Sequence, residues 1–147
     1  MKESDLCAVL VNDLKIKGYE VYQEVVDDHG RADIVAVKNS IQWVIEVKSS
    51  NAEGLYQQAI KWKGKGHIIS TASPTIPKID ARQYLRENGI GIIVISKNDF
   101  IEYRFPKLNV LATGLSLYEE QKTVLNAGTN YGGWWNPKTG RLSNERR

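Results

Sequence analysis

Two adjoining apolar segments carry charge where an ordinary strand pair would not. They are Arg31–Lys38 (RADIVAVK) and Ile41–Lys48 (IQWVIEVK), joined by Asn39-Ser40. Both alternate in the strand manner and are rich in Val and Ile. Read as a hairpin with a two-residue turn, they pair Lys38 with Ile41, and opposed residues have numbers summing to 79. Asp33 then faces Glu46, and Arg31 faces Lys48. Period-two alternation puts Glu46 and Lys48 on one face of their strand. Opposed Cβ atoms in such a ladder lie ~4.5–5.5 Å apart, and like charges there repel. Two facing carboxylates in an apolar sheet need a shared proton or a cation. A hard divalent ion with oxygen ligands, Mg²⁺ or Mn²⁺, meets that need. With a lysine beside it, this is equipment for phosphodiester hydrolysis.

The flanking sequence predicts an α/β domain. Residues 4–17 have Leu6, Val9, Leu10 and Leu14 at helical spacing, with Ser4 placed to cap the helix and Gly18 to end it. Residues 19–26 alternate as a strand, and Asp27-Asp28-His29-Gly30 is turn chemistry. A helix follows over 52–64, with Leu55, Ala59, Ile60 and Trp62 as core candidates. A short strand over 67–71, a helix over 79–88, a buried strand over 90–95 and an edge strand over 100–105 come next. The order, α-β-β-β-α-β-α-β-β, implies a mixed sheet flanked by helices.

The chain has 147 residues with 41% hydrophobic content, enough for one domain with a substantial core. No apolar run approaches the ~18 residues of a membrane span. Met1-Lys2-Glu3-Ser4-Asp5 is polar and lacks a signal-peptide pattern, and Cys7 has no partner for a disulfide or zinc site. A cytoplasmic setting is expected. Net charge is +3 but unevenly spread. Residues 1–60 hold six Lys/Arg against ten Asp/Glu, and residues 61–147 hold fourteen against seven. Such a division suits carboxylates holding a cation while basic groups hold a polyanion.

Arg31-Ala32-Asp33-Ile34-Val35 followed by Ile45-Glu46-Val47-Lys48-Ser49-Ser50 resembles the PD-(D/E)XK nuclease superfamily, above all its small Holliday-junction-resolvase-like and Mrr-like members. The resemblance covers about residues 3–95, and Arg31-Ala32 stands where relatives have Pro before the Asp. It implies a restriction-endonuclease-like αβββαβ core and a Mg²⁺- or Mn²⁺-dependent endonuclease hydrolysing DNA. It further implies that Asp33, Glu46 and the Val47 carbonyl hold the metal. Lys48 would orient the water, and Gln58, in the Gln58-Ala59 pair, would assist. Relatives often carry a further acid on the first helix or strand. Glu24 is the first choice for it here, with Glu20 and Glu3 as alternatives.

His29, Arg31, Lys61, Lys63 and Lys65 are candidate DNA contacts, the lysines doubling as complements to a helix C-terminus. Trp62 reads as core and His67 as structural. The expected division is a nuclease-like core over 1–105 and an extension over 106–147, packed on the core or at a homo-oligomer interface. Its Gly- and Trp-rich stretch 129–138 suits packing or base stacking. Residues 144–147 read as a basic, frayed tail. The alternative is a DNA-binding or assembly module that uses this fold without cutting.

Overall fold

A computed structural model describes residues 2–50, 54–123, 130–135 and 142–143. The elements in chain order are α1 (Glu3–Ile16), β1 (Glu20–Asp27), β2 (Gly30–Lys38), β3 (Ile41–Val47), α2 (Gly54–Ile60), β4 (Ile68–Ser73), α3 (Ile79–Glu87), β5 (Gly91–Ile95) and β6 (Phe100–Arg104). A single 3₁₀ turn (Glu119–Gln121), β7 (Lys122–Thr123), β8 (Asn130–Trp135) and β9 (Leu142–Ser143) complete them. Seven strands form one mixed sheet in the order β6-β5-β4-β3-β2-β1-β7, while β8 and β9 pair separately. The first three strands are an antiparallel meander. β4 runs parallel to β3 and β5 parallel to β4, and β6 returns antiparallel. The α/β mixed-sheet architecture expected from the sequence is present.

Helices cover both faces. On one, Leu6, Leu10, Val11 and Leu14 of α1 pack against Val21, Ile34, Ala36, Trp43 and Ile45. On the other, Ala59 of α2, the following Trp62, and Leu85 of α3 pack on Val35, Val44, Ile69 and Ile92. Each of the fully buried leucines accounts for about 1.5–3 kcal/mol of apolar burial. Among the described residues no helix is long and apolar enough to cross a membrane.

Local chemistry explains the helix ends. The first helix begins one residue before the expected start, with Lys2 rather than Ser4 at the cap. Asp5 takes over the capping role, its carboxylate accepting the Lys2 backbone N–H at 3.1 Å. At the other end Gly18, at φ +95°, donates to the Lys15 carbonyl, and Tyr19 donates to Leu14. That is the double bond of a Schellman motif, which needs the left-handed conformation glycine adopts freely. α2 is shorter than expected. It gives way after Ile60 to turns that carry Trp62 into the core, and Leu55's side chain lies outside what is described.

The segment after Pro106 belongs to the same body. Asn109 donates to the His67 carbonyl, and Gly114 to that of Lys65. Gln42 then acts as a surrogate strand: its amide donates to the Leu115 carbonyl at 3.0 Å and accepts the Leu115 N–H at 2.7 Å. Leu115 is buried with the α2–α3 face, and β7 closes the sheet against β1. The side chains of the 129–138 stretch and of 144–147 lie outside the described residues.

Candidate metal and nucleic-acid site

The site is built where β2 and β3 part company. Their ladder runs from Lys38–Ile41 to Ile34–Ile45 in the register read from the sequence. Its turn residues Asn39 and Ser40 sit at φ +53° and +67°, as a type I′ turn requires. At the next step the ladder is replaced by a side chain. The Asp33 carboxylate accepts the Val47 backbone N–H at 2.8 Å. Lys48 no longer answers Arg31; its N–H goes to the Ala72 carbonyl of β4. Arg31 pairs with Val26 of β1 instead.

A second irregularity accompanies this one. Strict alternation would send Tyr22 and Val25, or Ala32 and Val35, to opposite faces. All four lie on the α2–α3 face, while Val21, Ile34 and Ala36 lie on the α1 face. Both strands therefore turn over at the level of Glu24 and Asp33, and Glu24 has a left-handed backbone, φ +53°. A non-glycine residue in that conformation is costly and clusters at functional sites.

Glu46 is 2% exposed on the apolar α2–α3 face. Its Oε2 accepts the indole N–H of Trp62 at 2.8 Å. Burial pushes its acid up to about 8, the nearby Asp33 charge pushes the same way, and a hydrogen bond with Asp33 favours the protonated form. The Trp62 indole and the Lys61 ammonium act in the opposite sense. The Asp33 carboxylate thus acts on Glu46 in an apolar setting, which favours the protonated form of Glu46.

Cys7 of α1 reports on the wider surroundings. Its thiol is pushed up to about 12 by burial and then by the carboxylates of Asp33, Glu3, Glu24 and Glu46. Four of the five acids named from the sequence, all but Glu20, therefore act on one point. Glu20 instead pairs with Lys122 at 3.3 Å. Glu24 itself is exposed, with Arg31 3.9 Å away. Among the described residues no three His, Cys, Asp or Glu side chains form a group close enough to hold a metal unaided. The donors that the hairpin brings to one place are the carboxylates of Asp33 and Glu46. This fits Mg²⁺, which is commonly held by one or two carboxylates with water and substrate oxygens completing the shell.

The basic candidates separate into two groups. Lys61 is at the site: its ammonium meets Gln58 Oε1 at 3.1 Å and lies 5.3 Å from the Trp62 ring centre. It also covers Gly30, where a Cβ would come within 2.7 Å of it and where φ is +128°. Gln58, half-buried on α2, is thereby tied to the same cluster. His29 is exposed, its ring 6.2 Å from that of Trp62. Lys48 is half-buried at the end of β3. Lys65 and Lys63 are engaged elsewhere, the first in an ion pair with Asp27 at 3.0 Å and the second with Asn88 Oδ1 at 3.0 Å. His67 is structural, its Nδ1 accepting the Gln42 N–H. Trp62 is core, as the sequence suggests, but its indole also donates to Glu46, a role no spacing announces.

No family model matches the chain, and no curated protein does. Among solved structures it is similar to a protein of unknown function, SPO1766 from Silicibacter pomeroyi, at 21% identity over 77% of each chain with a TM-score of 0.54. It is also similar to a protein of unknown function, AF1548, at 18% identity over 60% of this chain and 56% of the other, with a TM-score of 0.48. The first likeness concerns the fold alone.

Proposed function

We propose that this protein is a Mg²⁺- or Mn²⁺-dependent endonuclease that hydrolyses DNA phosphodiester bonds on a restriction-endonuclease-like core. The observation that carries the reading is the Asp33–Glu46 pair: two carboxyl groups, the charge of one acting on the other, which is 2% exposed with its acid raised to about 8. A divalent cation relieves that repulsion, and the pair's hard oxygens suit one. The resemblance of the Asp33…Glu46-Val47-Lys48 pattern to PD-(D/E)XK nucleases, and the αβββαβ order of the first six elements, support the same reading.

Asp33 and Glu46 would hold the ion, with the Val47 carbonyl as a further ligand. When bound, it supplies Lewis-acid polarisation of a phosphodiester oxygen. The chain's own groups do the rest. Trp62 holds the Glu46 carboxyl in one orientation by its indole N–H. The Val47 N–H does the same for Asp33. Lys48 orients the attacking water and stabilises charge developing on the phosphate. Lys61 and Gln58 present a cation and an amide to the approaching strand. Water adds across one P–O bond, leaving a phosphate monoester and a free hydroxyl.

The test is cleavage of branched, linear and circular DNA with Mg²⁺ or Mn²⁺, comparing wild type with Lys48→Ala. The wild type should cut at least one substrate. Lys48→Ala should lower the rate by about 10²–10³-fold, the usual loss for a group that stabilises transition-state charge. Equal cleavage by both, or none by the wild type on any substrate, sinks the proposal.

A further inference from the structure

A cavity of about 710 Å³ lies between α3 and the edge strand β6, away from the Asp33–Glu46 pair. Arg82, Arg86 and Arg104 line it with Gln83 and Tyr103, and Glu87 is the one carboxylate in its wall. Two of the guanidinium groups are fixed by main-chain oxygens. Arg82 donates to the Pro77 carbonyl at 2.8 Å, and Arg104 to the Arg82 carbonyl at 2.9 Å. Among the described residues none of the three forms an ion pair with a carboxylate. Three cations share the cavity with a single carboxylate, so its lining keeps a net positive charge that an anion would neutralise. Arginine in a fixed fork geometry is the side chain best matched to phosphate oxygens.

We infer that this cavity is a second, non-cleaving phosphate site for a nucleic-acid strand. The inference rests on the nuclease reading for its choice of polyanion. α3 packs on the face of the sheet into which Glu46 projects. β6 stands three strands from β3, about 14 Å at the usual strand spacing. A few nucleotides span that distance, since one strand presents a phosphate about every 3.4 Å of duplex axis. Tyr103, 43% exposed at the rim, offers a ring face to an unpaired base. The cavity thus lets a strand be gripped beyond the residues that cut it.

The experiment is fluorescence anisotropy of labelled single-stranded and duplex DNA in EDTA, so that nothing is cleaved, over a series of salt concentrations. The Arg86 side chain is exposed and makes no hydrogen bond within the described residues, so Arg86→Gln should melt like wild type. It should weaken DNA binding and reduce the slope of log K against log salt by about 0.7–0.9. Adding Arg104→Gln should roughly double the slope change, and Tyr103→Ala should weaken single-strand binding by about 5-fold or more. Unchanged affinity and slope in Arg86→Gln would overturn the inference. So would a wild type that binds no DNA, or cavity residues that respond to inorganic phosphate or to self-association but not to oligonucleotides. Cleavage by the same preparations with Mg²⁺ is scored separately. DNA binding lost through Arg86→Gln with no cleavage by wild type supports the cavity and removes the nuclease reading; the reverse pattern does the opposite.

Discussion

The two ends of the β2–β3 hairpin are built from the same kind of strand and behave oppositely. At the closed end the ladder runs unbroken from Lys38–Ile41 to Ile34–Ile45, and the cross-strand pairs Val35–Val44 and Ala36–Trp43 are apolar and buried. At the open end the ladder gives way to a carboxylate bonded to a backbone N–H, and two acids meet in an apolar layer. The closed end is arranged for stability. The open end keeps an electrostatic cost that helps folding in no way, and that a bound cation would remove. A strongly perturbed buried acid of this kind is a candidate functional group, and the proposed function rests on it.

The largest effect should come from removing the cost and the function together. Glu46→Gln keeps an oxygen to accept the Trp62 indole and cannot ionise. Cleavage should fall to background, while the metal-free protein melts at a higher temperature than wild type at pH about 8. A substitution at the closed end, Val44→Ala, should do the reverse, destabilising by about 1–3 kcal/mol with activity per folded molecule retained. If Glu46→Gln lowered thermal stability, the buried pair would be a stabilising feature and the contrast between the ends would fail.

The pH dependence sharpens the same contrast. Glu46 has its ordinary value near 4.5 when unfolded and about 8 when folded. Between those values the folded state holds a proton that the unfolded state has released. Stability of the metal-free protein therefore falls as pH rises through that window, at up to about 1.4 kcal/mol per pH unit from this group. Urea unfolding from pH about 5 to 8 measures it. Glu46→Gln should flatten the slope. Mg²⁺ or Mn²⁺ should raise the melting temperature more at the alkaline end, where both carboxylates are free to bind.

Trp62→Phe probes the indole donor to Glu46. It leaves the ring packing largely in place but deprives a buried carboxyl of its partner, at a cost of about 1–3 kcal/mol. Glu46 should then titrate still higher, because the indole bond favours its charged form. The cleavage-rate profile should move to more alkaline pH with it. An unchanged profile would mean that Trp62 only packs.

These features differ in how far the sequence exposes them. The closed end was legible because strand alternation and a two-residue turn are local: Lys38–Ile41 fixes every pair up to Ile34–Ile45. Asp33 and Glu46 were legible because charge inside Val and Ile runs has no local excuse. The turnover of β1 and β2 at Glu24 was not, since it depends on two strands twisting together and Glu24 is an ordinary strand-exterior residue by pattern. Trp62 and Lys61 reach Glu46 and Gly30 only once α2 has folded back over the sheet. The segment over 106–123 lacks periodicity because it is anchored by single groups, Gln42 to Leu115 above all, and not by a repeating face. The α3–β6 cavity draws its arginines from two elements some twenty residues apart, a distance at which charge spacing carries no signal.

The smallest effect belongs to the turn itself. Ser40 holds φ +67°, a conformation in which a side chain is strained and glycine is not. Ser40→Gly creates the Asn-Gly pair most favoured in a type I′ turn and should stabilise by about 0.5–1 kcal/mol. Because the turn lies at the far end of the hairpin from Asp33 and Glu46, cleavage rate, metal response and the pH slope should all stay at wild-type values. A change in any of them would mean that the closed end sets the geometry of the open one through the length of the ladder. The two ends would then be one mechanical unit, and the stability of the turn would be part of how the carboxylates are held.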